Sequence, residues 1–157
     1  MSAYLGNPPI ANYRELLGVK TVRKLIDQTI NNSATLTNDA ALFYYMRANE
    51  RWYVLTNIKL SLQATSDFKF IFTVPAGATF VGNQSSAAST AAEDALTTQN
   101  TILTAAPLLC SLRIAGQYVG GTTAGYLRFQ WAQNTATAEN TIVLANSTLI
   151  LIRTDAG

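Results

Sequence analysis

The chain has 157 residues, of which 48% are hydrophobic and 13% charged, with a formal charge of +2. That is enough for one domain with a sizeable core, and it is too little positive charge, too scattered, for a nucleic-acid binder. Its single cysteine, Cys110, excludes an internal disulfide, and the absence of histidine removes the common catalytic triads, zinc sites and proton shuttles.

Residues 1–22 differ from the rest of the chain. Gly6, Pro8, Pro9 and Gly18 punctuate a run in which Tyr4, Leu5, Ile10, Tyr13, Leu16, Leu17 and Val19 are apolar without a sustained period. A leader with no docking role is expected to be poorer in Tyr and Leu, so this stretch reads as an arm that orders on a neighbour. Arg14, Lys20, Arg23 and Lys24 make it mildly basic and are expected to be solvated. It has neither a basic leader region nor a long apolar core, so the chain is expected to be made in a cytoplasm without an export address. No apolar run reaches membrane-spanning length, and no membrane partner is expected.

From Arg23 to Gly157 the pattern is that of strands. A short strand is expected from Leu25-Ile26 to Ile30, a turn at Asn31-Asn32-Ser33, and a second strand over Ala41–Met46. The clearest alternation comes next. Trp52, Val54, Ile58, Leu60 and Leu62 share one parity; Tyr53, Asn57, Lys59 and Ser61 share the other. After the polar turn Thr65-Ser66-Asp67, Phe68, Phe70, Phe72 and Val74 face one way until Pro75 ends the ladder. The two runs read as one long antiparallel hairpin.

Residues 77–101 are rich in Ala, Ser and Thr, and are expected to be a long surface loop, the alternative being a turn or two of helix over Ala91–Leu96. Thr101–Val119 reads as one or two strands broken near Pro107, with Leu108, Cys110, Leu112 and Ile114 inward and Ser111 and Arg113 outward. Gly120–Gly125 reads as a hairpin connection to a strand Tyr126–Ala132, which turns Leu127, Phe129 and Trp131 inward. Two closing strands, Thr141–Leu144 and Ser147–Ile152, flank the turn Ala145-Asn146. Eight to ten short strands at this spacing predict an all-β antiparallel sandwich or barrel, with Trp52, Phe70, Phe72, Phe129 and Trp131 in its core.

No constellation in the sequence points to catalysis. The carboxylates Glu15, Asp27, Asp39, Glu50, Asp67, Glu93, Asp94, Glu139 and Asp155 fall mostly in predicted turns, where Asp bonds local backbone. GGTTAG lacks the Lys-Ser/Thr of a phosphate loop. No cofactor, metal or catalytic residue is expected, and the protein is read as a non-enzyme whose work is adhesion.

Two segments carry a resemblance. DQTINNSATLTNDAALFYYM with DFKFIFTVPAGATF, and later GYLRFQWAQN with TIVLANSTLILIR, are similar to the two halves of small jelly-roll domains in tailed-bacteriophage virion proteins. The leader AYLGNPPIANY is like the attachment peptides of phage appendages. The resemblance spans about residues 27–153. The sequence departs from the family pattern at Asn146, where glycine is common, and in the stretch 83–101.

The resemblance implies a jelly roll of the tumour-necrosis-factor-like or C1q-like type, forming a homotrimer on a virion. Residues 1–22 would be the attachment arm and 23–157 the jelly roll. Tyr4, Leu5, Pro8, Pro9, Ile10, Tyr13, Leu16 and Leu17 would contact the major capsid protein or another virion protein. Tyr44, Tyr53, Lys59, Tyr126 and Arg128 would form the trimer interface, opposite the core rows. The chain shows no heptads or fibre repeats, so a capsid decoration protein is favoured over a fibre or spike tip that binds a host-surface receptor or glycan.

Overall fold

The computed structural model describes residues 18–87, 89–103 and 107–155, with backbone alone over 89–94. The residues expected to form the arm, Tyr4 to Leu17, lie outside this description. The described chain is all-β. Twelve strands form two antiparallel sheets: β1 Val19–Arg23, β2 Gln28–Ile30, β3 Thr37–Met46, β4 Arg51–Leu62, β5 Phe68–Thr73, β6 Thr79–Ser86, β7 Ser89–Ala95, β8 Asn100–Ile102, β9 Leu108–Val119, β10 Gly125–Ala132, β11 Thr141–Val143 and β12 Thr148–Arg153. The larger sheet runs β1-β12-β4-β9-β6-β7, with β11 bridging β4 and β2; the smaller runs β3-β10-β5-β8.

The alternation in β4 is realised along its length. Trp52, Val54, Thr56, Ile58, Leu60 and Leu62 are all buried, and the intervening side chains are exposed or half-buried. Thr56 is tolerated in this row because its Oγ1 accepts the Ile114 N–H at 3.0 Å. Phe68, Phe70 and Phe72 of β5 and Leu127, Phe129 and Trp131 of β10 are fully buried in the facing sheet. Their rings interlock, with Phe72 and Phe129 centroids 5.1 Å apart and Phe68 and Trp131 5.8 Å apart. Phe72 meets Phe80 of the opposite sheet edge-on at 5.1 Å, and Tyr44 of β3 meets Trp52 of β4 at 5.8 Å. These contacts between sheets close the sandwich.

Several sequence expectations are corrected. The β4 and β5 runs are not a hairpin: β4 pairs β9, β12 and β11, while β5 pairs β10 and β8 in the other sheet. Residues 63–67 carry the chain across the sandwich, with Asp67 at φ 48 making the sharp turn. Likewise the connection 120–124 is a crossing from β9 to β10, not a hairpin. The only sequence-consecutive strands that pair among the described residues are β6 and β7. They occupy the stretch expected to be a loop or a short helix.

Two corrections concern the N-terminal region. Val19–Arg23 is a strand paired with β12 from Val19↔Ile152 to Arg23↔Thr148, so the sandwich begins before residue 23. Leu25 and Ile26, expected in a strand, are instead 75% and 74% exposed, and β2 starts only at Gln28. The turn at Asn146 has φ 66, which an asparagine accepts in place of glycine. Its Oδ1 accepts hydrogen bonds from the Arg23 guanidinium, tying the β11–β12 turn to the end of β1.

Lys24, expected to be solvated, is 1% exposed. Its Nζ donates to both carboxylate oxygens of Asp39 at 3.0 and 2.9 Å and to Gln28 Oε1 at 3.1 Å. Asp39 also accepts the N–H groups of Ala41 and Leu42 at 2.9 and 3.0 Å and the indole N–H of Trp131 at 3.2 Å. The two halves of the sequence signature meet here: TLTNDAAL supplies the carboxylate, and GYLRFQWAQN the indole. Two positions on, buried Gln133 accepts the N–H groups of Ser33 and Thr137, each at 3.1 Å, and donates to the Glu139 carbonyl, clamping two loops.

Candidate functional site

Strand register fixes what each sheet shows to the outside. On the large sheet the non-core positions align as Val19–Ile152–Tyr53–Gln117–Val81, then Thr21–Ile150–Leu55–Ala115–Asn83, then Arg23–Thr148–Asn57–Arg113–Ser85. The first two rows place Val19, Tyr53, Leu55, Ala115, Ile150 and Ile152 side by side, all half-buried. An antiparallel sheet with one wet face shows polar residues on that face. Around Tyr53 and Leu55 of β4 this sheet is largely apolar on both sides.

Further along β4 the character changes. Lys59 lies opposite Ser111, and Arg113 lies opposite Asn57, so the two cations are diagonal neighbours on one face. Neither is in an ion pair among the described residues. They border a cleft of about 770 Å³ whose lining also includes Ser85, Ser86, Leu109 and Leu144. The β6 ladder on β9 ends at Ser85↔Arg113, and beyond it no described strand covers that edge of β9. Cys110 lies in the same wall, and partial burial pushes its thiol pKa up, away from the reactive thiolate.

The small sheet presents a different outer face. Phe43, Tyr45 and Tyr126 make edge-on ring contacts, Phe43 to Tyr126 at 5.7 Å and Tyr45 to Tyr126 at 5.2 Å. The Arg128 guanidinium sits 4.3 Å from the Tyr126 centroid and 5.4 Å from that of Phe43. Tyr45 and Tyr126 are the exposed members, at 52% and 42%.

The five residues expected at one interface therefore divide three ways. Tyr53 and Lys59 lie on the outer face of the large sheet; Tyr126 and Arg128 lie on that of the small sheet. Tyr44, expected outside, shares the parity of buried Leu42 and Met46 and packs against the core. Burial, with the Glu50 carboxylate as the lesser cause, raises its phenol pKa. Tyr118 is raised by the same two causes in the same order. Glu50 is held in place by the Arg47 N–H at 2.9 Å and the Trp52 indole at 3.2 Å, with Arg153 at 3.8 Å.

Sequence reasoning missed the Lys24–Asp39–Trp131 cluster and the cleft. The outward parity of Lys59, Ser111 and Arg113 was readable, but their adjacency depends on the β4–β9 register. Among the described residues there is no cluster of three or more His, Cys, Asp or Glu side chains that could hold a metal. Comparison with family models, curated proteins and solved structures finds no match to this chain.

Proposed function

We propose that this protein is a non-enzymatic virion structural protein of a tailed bacteriophage, a homotrimeric capsid decoration protein with a jelly-roll body. The observation that carries self-association is the apolar outer face of the large sheet, centred on Tyr53, Leu55, Ile150 and Ile152. Contiguous apolar residues on an outer sheet face suit a partner surface, and cyclic symmetry is the common way to close one. The jelly-roll reading is supported by β1-β12-β4-β9 facing β3-β10-β5-β8 and by a chain that keeps crossing between the sheets. The virion role rests on the motif resemblance, and the N-terminal segment is the proposed capsid contact. A fibre or spike knob that binds a host-surface glycan is the second reading, favoured by the cleft beside Lys59 and Arg113.

Light scattering tests the assembly. The expected mass is about three times the 17.0 kDa chain, and Leu55→Glu should reduce it to a folded monomer. A wild-type monomer would overturn the reading. For attachment, the deletion must stop at Leu17, because Val19–Arg23 belongs to the sheet. A chain lacking residues 1–17 should still trimerise and fail to bind particles; full occupancy on capsids would refute the arm.

A further inference from the structure

We infer that the cleft between β4, the open edge of β9 and the end of β6 binds a sugar that carries a carboxylate. The first ground is charge. Lys59 and Arg113 are placed diagonally by the register Lys59↔Ser111 and Asn57↔Arg113, and no carboxylate among the described residues neutralises either. Like charges at diagonal positions on one sheet face repel, and an anion seated between them removes that repulsion. Asp27 stands behind one wall of the cleft, where its Oδ1 accepts the N–H of the lining residue Ala145 at 2.7 Å, and it makes no ion pair with either cation.

The second ground is the open strand edge. Residues 108–112 of β9 pair β4 on one side, and no described strand pairs them on the other. An uncovered edge offers backbone N–H groups as donors. The third is the mixture of surfaces. Ser85 and Ser111 bring hydroxyls that both donate and accept, while Leu109, 75% exposed, and Leu144 bring apolar wall. A bare anion would use only the cations. A sugar acid uses all three: its carboxylate meets the planar fork of Arg113 and the Lys59 ammonium, its hydroxyls meet the serines, and its C–H face meets Leu109. The volume of about 770 Å³ falls within the range of small-molecule sites.

The site does not rest on trimerisation. It lies beside the proposed trimer face without being part of it: Lys59 is about 13 Å along β4 from Leu55, and Arg113 about 7 Å along β9 from Ala115, at about 3.3 Å per residue. The test is titration of the full-length protein at low salt with 3′-sialyllactose, a glucuronate disaccharide, neutral lactose and inorganic phosphate, followed by calorimetry and amide NMR shifts. At least one of the two acidic sugars should bind saturably, with shifts at Ser111 and Arg113, and lactose should bind at least about tenfold more weakly. Arg113→Gln and Lys59→Gln should each weaken binding about tenfold or more while retaining the wild-type circular dichroism and mass; Arg128→Gln, on the other sheet, should change nothing. Phosphate binding as tight as the best acidic sugar would reduce the cleft to a general anion site and overturn the proposal. So would equal binding of lactose, no binding by either acidic sugar, or full affinity in Arg113→Gln.

Discussion

Lys24 follows β1 and Arg113 lies within β9, both strands of the large sheet, and the fold treats them oppositely. Lys24 is 1% exposed and paired to Asp39 at 2.9 Å, and Asp39 holds two backbone N–H groups and the Trp131 indole as well. Arg113 is exposed, close to a second cation, and without a carboxylate among the described residues. A cation that belongs to the architecture comes with its counter-charge and with the lone pairs of that counter-charge filled, because burying it otherwise is prohibitive. One left unneutralised on the surface is free to meet something outside the chain. The difference separates what makes the sandwich from what the sandwich presents.

The largest expected effect breaks the first member of that pair. Asp39→Ala strands the Lys24 ammonium in the core and leaves the Trp131 indole without its acceptor. Loss of one partner of a buried pair costs about 3–5 kcal/mol. Urea denaturation should show a loss of that order, and Lys24→Met in the same background should restore part of it by removing the uncompensated charge. A loss below about 1 kcal/mol for Asp39→Ala would mean that solvent reaches Lys24 and that the cluster is not an anchor.

A smaller effect is expected where β6 meets β9 and shapes the cleft. A Cβ on Gly82 would run into the Gly116 Cα and lie 2.5 Å from the Ala115 carbonyl oxygen. Both are backbone atoms, so the ladder itself must part. Gly82→Ala should cost about 1–3 kcal/mol, the usual range for overpacking. Hydrogen exchange should locate the loss in β6 and β7 and leave β4 and β12 protected. Unchanged protection in β6 would show that the two strands have room that the contact distances deny.

The sandwich was legible in the sequence wherever a signal is local. Period-two alternation in Trp52–Leu62 and Phe68–Val74 identified strands and their buried faces from single residues. It carried no information on partners. A five-residue link such as 63–67 can turn a chain back within one sheet or take it across to the facing sheet, and both keep Trp52 and Phe68 pointing at the same core. The expected hairpin was therefore indistinguishable from the crossing that occurs. β6 and β7 were missed for another reason: Gly82, Ser85, Ser86 and the Ala-Ser-Thr run offer little side-chain contrast from which alternation could be read. Asp39 stands in a run that looks like turn chemistry, and nothing local tells that Lys24 and Trp131 converge on it. The cleft depends on the pairing of Lys59 with Ser111, so only its component residues could be read, not their meeting.

The smallest expected effect falls on the second member of the pair. Arg113→Ala removes a charge that no described carboxylate balances, and it relieves repulsion with Lys59. The strand itself loses little, since Leu112 and Ile114 on either side hold the core contacts at 1% and 2% exposure. Stability should change by no more than about 0.5 kcal/mol, as for surface substitutions away from structural features. If chemical denaturation instead shows a loss of about 2 kcal/mol or more, Arg113 is held by contacts within the fold. It would then belong with Lys24 among the residues that build the sandwich, and the contrast between the two cations would disappear. A neutral result leaves a side chain that the fold does not use, set beside a lysine and three serines at the mouth of a cleft. Its cost is then to be sought in binding, where Arg113→Gln is measured against the same protein's unchanged stability.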